Sequence, residues 1–100
     1  MREAEAAVAM TVVDHWIAQG RYEEAMRATD LLLRDYPHFV YAWAKKGTAA
    51  YHLMRREFME PYPDANAIPS HLRARLVWLQ RVSRESFVRA DALGWKPVLR

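Results

Sequence analysis

Gly20-Arg21-Tyr22-Glu23-Glu24-Ala25-Met26-Arg27-Ala28-Thr29-Asp30-Leu31-Leu32-Leu33-Arg34-Asp35-Tyr36-Pro37 is the stretch on which the fold turns. Tyr22, Ala25, Met26, Thr29, Leu32 and Leu33 recur at three- and four-residue steps, which puts them on one helical face. Glu23 and Glu24 fall in the first turn, where the positive end of the helix dipole favours carboxylates. Gly20 permits a tight turn ahead of the segment. Pro37 stops it, because proline lacks the N–H and restricts its predecessor.

Upstream, a segment from about Arg2 to Ala18 carries Ala6, Met10, Val13, Trp16 and Ile17 at helical spacing. Only Gln19-Gly20-Arg21 separates it from the next helix, so the two must lie antiparallel. Downstream, a third segment runs from after Pro37 to about Glu60. Its stripe is Val40, Trp43, Gly47, Ala50, Tyr51, Met54 and Phe58. Pro61, Pro63 and Pro69 then bracket a loop over residues 61–69, which cannot be helical throughout. Ser70 is placed to cap a fourth helix over about residues 70–93. Leu72, Leu76, Leu79, Phe87, Ala90 and Leu93 line it. Gly94 suits a left-handed cap, with Pro97 beyond. No segment alternates as a strand would. The fold class is all-α: antiparallel helical hairpins, about four helices, in a single domain over residues 1–100.

At 100 residues, with 52% hydrophobic and 27% charged, the chain is globular but its core is thin. It has no cysteine, so neither disulfides nor thiolate metal sites hold it. No apolar run is long enough to span a membrane. The N-terminus carries acids and lacks the layout of a secretory signal, so a cytoplasmic setting is expected. The net charge of +3 is uneven: residues 1–69 hold 8 basic and 10 acidic residues, and residues 70–100 hold 7 basic and 2 acidic.

With Trp43 and Gly47 downstream and Trp16 upstream, Gly20 to Pro37 resembles the tetratricopeptide repeat family. The match is a glycine-x-tyrosine-x-x-alanine run, Gly20, Tyr22 and Ala25, followed by an apolar residue seven later, Leu32, and a proline, Pro37. Trp43 and Gly47 match the tryptophan and small residue that open a following repeat. The resemblance covers about residues 5–54 and is strongest over 19–47. Val13 stands where the first repeat has a small residue. Lys46 and Ala50 replace a leucine and a tyrosine in the second. No second glycine-x-tyrosine-x-x-alanine run follows Met54. The chain therefore holds one good repeat and one degenerate repeat, with the fourth helix in the role of the missing partner helix.

In that family the first helix of each pair lines a concave, protein-binding face. The resemblance implies that this face presents Ala7, Met10, Asp14 and Ile17 from one helix. From the other it implies Tyr41, Ala44, Thr48, Tyr51 and His52. One subset of the family grips a C-terminal carboxylate with lysines, an arginine and asparagines. The only asparagine here is Asn66, in the loop, so that clamp is not expected. Repeat proteins need about three units before stacking covers their apolar faces. A chain with two is expected to self-associate or to keep a constitutive partner. The expected function is that of an interaction module (adaptor, chaperone or assembly factor) binding another protein or peptide.

Two features sit outside the repeat. Leu76-Val77-Trp78-Leu79 makes the fourth helix apolar on more than one side, which predicts burial on both faces. It singles out Trp78 as a contact beyond the four helices, at an oligomer interface. Arg73, Arg75, Arg81, Arg84 and Arg89 make the same helix basic. That suggests a second reading, a nucleic-acid-associated protein, with Arg73, Arg81 and Arg84 as the basic face. No catalytic or metal constellation is read. His15, His38, His52 and His71 do not pair at ligand spacing. The three glycines form no phosphate loop. Neither enzyme activity nor a cofactor is expected.

Overall fold

The computed structural model describes residues 3–95. Arg2 and Pro97, placed above at the start of the first helix and beyond the fourth, lie outside the described residues. The described residues form four α-helices: α1 (Glu3–Ala18), α2 (Tyr22–Asp35), α3 (Val40–Met54) and α4 (Arg73–Ala92). They pack as antiparallel hairpins, α1 with α2 and α3 with α4, while α3 also packs on α2 and α1. The all-helical expectation holds.

Both helix-ending glycines are at positive φ, +73° at Gly20 and +98° at Gly94. At each, the next residue's N–H reaches back five residues: Arg21 to the Trp16 carbonyl at 2.9 Å, and Trp95 to that of Ala90 at 2.9 Å. This closes the helix end and turns the chain. Arg56 pins the first turn from a distance. Its guanidinium donates to the Gly20 carbonyl at 2.6 Å and lies 5.1 Å from the centre of the Tyr22 ring. Trp43 holds the second turn by donating its indole N–H to the Pro37 carbonyl at 2.8 Å.

The α2 stripe behaves as its spacing predicts: Ala25, Met26, Thr29, Leu32 and Leu33 are buried. On α3 the predicted single stripe is too narrow. Tyr51 is exposed, whereas Ala42, Ala44, Ala49 and Leu53 are buried with Gly47 and Ala50. The reason is its central place: three helices crowd α3, and small side chains on several sides let them approach. At Gly47, Ser83 of α4 donates to the backbone carbonyl at 3.3 Å.

The third helix continues past Met54 as one wide turn, Arg55–Met59, in which the Glu60 N–H bonds the Arg55 carbonyl. This turn buries Phe58. Pro61 cannot extend it. In the loop, Asp64 accepts from the N–H groups of Asn66 and Ala67 at 2.8 and 3.1 Å, and Ile68 is buried as its anchor.

Two expectations for α4 need correction. Ser70 does not cap it. Ser70–Leu72 form a tighter turn started by Pro69, and the α-helix follows at Arg73 with no side-chain cap. Nor is α4 buried on both faces. Leu79, Ser83, Ser86 and Ala90 face α3, while Val77 and Trp78 are 50% and 45% exposed. No fifth element covers that side among the described residues.

Candidate functional site

A groove of about 820 Å3 opens between the N-terminal half of α1 and the turn that joins α2 to α3. Ala6, Ala7, Met10 and Asp14 form its α1 wall. Asp35, Tyr36, Pro37, His38 and Phe39 form the turn side, and Tyr41 and Lys45 come from α3. The volume lies in the range of sites that enclose small ligands or anchoring side chains, about 300–1,000 Å3.

Each wall follows from local sequence. Pro37 ends α2, so the chain crosses to α3 through a short aromatic turn instead of a longer helix. Met10 belongs to the core stripe of α1 and gives the groove a buried apolar floor. Tyr41 stands at the rim, 62% exposed, with its ring edge-on to Phe39 at 6.1 Å. Asp14 pairs with Lys45 at 3.1 Å across the α1–α3 seam, both about half exposed.

Two carboxylates, Asp14 and Asp35, and one ammonium, Lys45, line the groove. Asp14 is matched by Lys45, and among the described residues Asp35 has no ion-pair partner. Partial burial, followed by the nearby carboxylates of Glu5 and Asp35, holds the Tyr36 phenol above its ordinary range. The phenol is therefore a neutral donor throughout the physiological range. Aromatic faces beside a carboxylate suit a cationic side chain.

Of the face implied by the repeat resemblance, this groove gathers Ala7, Met10, Asp14 and Tyr41. The others lie elsewhere. Ile17 is half-buried against the core. Ala44 is buried, and Thr48 donates its hydroxyl to the Ala44 carbonyl at 3.0 Å. His52 stacks on Tyr22 with ring centres 5.2 Å apart, and Tyr51 meets His52 edge-on at 6.0 Å. Residues 35–39 were missed by the sequence reading, which took Pro37 only as a stop. The run of aromatic and acidic side chains around that proline was the available signal.

The arginines of α4 divide. Arg75 is bound inside the fold: it donates to both oxygens of Glu57, at 2.6 and 2.8 Å, and to Glu23 on α2. That guanidinium holds the Glu57 carboxyl below its usual range, and the pairing raises Arg75 itself. Arg89 lies over the Trp43 ring at 5.5 Å. Arg73, Arg81 and Arg84 are exposed. Trp78 has Arg75 above its ring at 5.9 Å. Among the described residues, no group of three or more His, Cys, Asp or Glu could hold a metal ion, and no helix is long and apolar enough to cross a membrane.

Compared with known proteins, the chain matches no family model, no curated protein and no solved structure.

Proposed function

We propose that this protein is an interaction module of the tetratricopeptide type, acting in the cytoplasm as an adaptor, chaperone or assembly factor. Its groove beside the α2–α3 turn takes a segment of a partner protein that presents a basic side chain flanked by apolar ones. The observation that carries this reading is the groove itself. It combines the buried floor of Met10, the aromatic walls of Tyr36, Phe39 and Tyr41, and the carboxylate of Asp35, which has no ion-pair partner among the described residues. Met and Tyr are adaptable anchors for a helix or an extended peptide. The nucleic-acid reading has weaker support, since Arg75 and Arg89 are engaged within the fold and Arg73, Arg81 and Arg84 share their face with Val77 and Val88.

Panning a random peptide library against the folded protein tests the proposal. Enriched peptides are expected to carry Lys or Arg next to an apolar or aromatic residue. Tyr41→Ala and Asp35→Asn should each weaken them about tenfold or more, the cost of losing an interface anchor, whereas His52→Ala should leave them unchanged. Peptides indifferent to Tyr41 and Asp35 would sink the assignment.

A further inference from the structure

The sequence just beyond α4 has the composition that the groove asks for. After Trp95, the last described residue, it continues Lys96-Pro97-Val98-Leu99-Arg100. That run sets two cations among three apolar residues and holds no carboxylate. The groove offers the complement: the buried floor of Met10, aromatic walls, and the carboxylates of Asp14 and Asp35 against the single ammonium of Lys45. Lys45 is engaged by Asp14 at 3.1 Å, and Asp35 has no ion-pair partner among the described residues. The run also starts at the right end of the molecule. α4 descends along α3, with Ser83 and Phe87 at Gly47 and Arg89 over Trp43 in the first turn of α3. Trp95 closes α4 with its N–H on the Ala90 carbonyl and stacks on Phe87 at 5.7 Å. Tyr41, at the groove rim, is two residues from Trp43 and so about 200° round the helix from it. Only the first turn of α3 therefore separates the end of α4 from the groove, a width of about 10–12 Å. Five extended residues span up to about 17 Å.

We infer that residues 96–100 cross the first turn of α3 and dock in the groove of their own chain, with Leu99 over the Met10 floor and Arg100 beside Asp35, in competition with the partner segment. The inference deepens the function proposed above and rests on the groove being a site for a basic side chain flanked by apolar ones. Proline fixes its own φ and holds its predecessor extended, which lowers the cost of ordering a segment in an aromatic-walled groove. A segment attached by so short a connection meets its site at an effective concentration in the millimolar range. A contact too weak to retain a free pentapeptide then still fills the groove for much of the time. The partner binds with an affinity reduced to the fraction of chains whose groove is open.

Amide NMR spectra of the full chain test this without any partner. Leu99→Asp with Arg100→Glu should shift the amides of Met10, Tyr36, Phe39 and Tyr41 and leave those of Tyr51 and His52 in place, equally before and after tenfold dilution. Asp35→Asn should in turn shift the amides of residues 99 and 100. Should the double variant lose far-ultraviolet helix signal, Leu99→Ser with Arg100→Gln replaces it and is read the same way. Three outcomes overturn the inference: the groove amides do not move; only amides adjoining Trp95 move; or the effect disappears on dilution, which makes another copy's residues the occupant. Peptides that depend on Tyr41 and Asp35 should bind the double variant about two- to tenfold more tightly than the wild type, and equal binding also overturns it. If no selected peptide depends on Tyr41 and Asp35, the function proposed for the groove fails by itself, and the amide shifts still decide whether residues 96–100 dock there.

Discussion

Replacing Gly47 by alanine measures how closely α3 and α4 approach, because two effects of known sign compete there. In a helix interior, Gly→Ala stabilises by about 1 kcal/mol. At Gly47, however, a β-carbon would stand 3.0 Å from two ring carbons of Phe87 and 3.1 Å from a third. Carbon atoms prefer about 3.5–4.0 Å, so the ring must retreat by roughly half an ångström or more. It is already stacked on Trp95, at 5.7 Å. Overpacking of this kind costs about 1–3 kcal/mol. The net expectation is a loss of about 1 kcal/mol, which in a domain of this size lowers Tm by about 4–8 °C. The sign should reverse in a Phe87→Ala background. There the clash is gone and only the helix propensity remains, so Gly47→Ala should stabilise by up to about 1 kcal/mol. Urea unfolding of all four proteins, followed by far-ultraviolet circular dichroism at constant m-value, gives the coupling directly. If Gly47→Ala stabilises the wild type, or changes both backgrounds equally, the close approach of α3 and α4 argued here is wrong.

Leu79 is fully buried between α4 and α3, so Leu79→Ala should cost about 2–5 kcal/mol, read from the same urea titrations. Glu57 bears on acid stability. Arg75 depresses its folded-state pKa, so its contribution is fully present above the unfolded carboxylate value of about 4.3 and is lost as pH falls through the lower folded value. The pair is about one-third exposed, which limits the effect to about 1 kcal/mol. Urea midpoints between about pH 6 and about pH 3 should therefore fall more steeply for the wild type than for Glu57→Gln. Trp43→Phe keeps most of the ring but removes the indole N–H bonded to the Pro37 carbonyl; a loss of about 0.5–1.5 kcal/mol is expected in thermal melts.

The fold was legible where large apolar residues mark a single buried face. In α2 the stripe from Ala25 to Leu33 came out buried as its spacing required. Gly20 and Gly94 announced turns because a left-handed cap tolerates little else. Legibility failed in α3, where alanines occupy the buried positions. Ala42, Ala44 and Ala49 carry little hydrophobic signal, and their meaning, close approach from several sides, exists only once neighbouring helices are in place. The same limit hid Ile68, one apolar residue among prolines whose burial depends on the bundle beneath it. It also misassigned Ser70, because Pro69 before it starts a tighter turn that removes the need for a side-chain cap.

The candidate site was half legible for a related reason. Met10, Asp14 and Tyr41 come together because α1 and α3 run side by side. Residues 35–39 join them only because the α2–α3 turn folds against α1, which no local pattern states. Charge shows the difference most clearly. The arginine excess of the C-terminal third is a plain count, but a count assigns no roles. In three dimensions Arg75 becomes a structural tie between α4, α2 and the end of α3, Arg89 caps a tryptophan face, and Arg73, Arg81 and Arg84 remain outside. Those three stand beside valines, whereas a nucleic-acid face requires a continuous basic track.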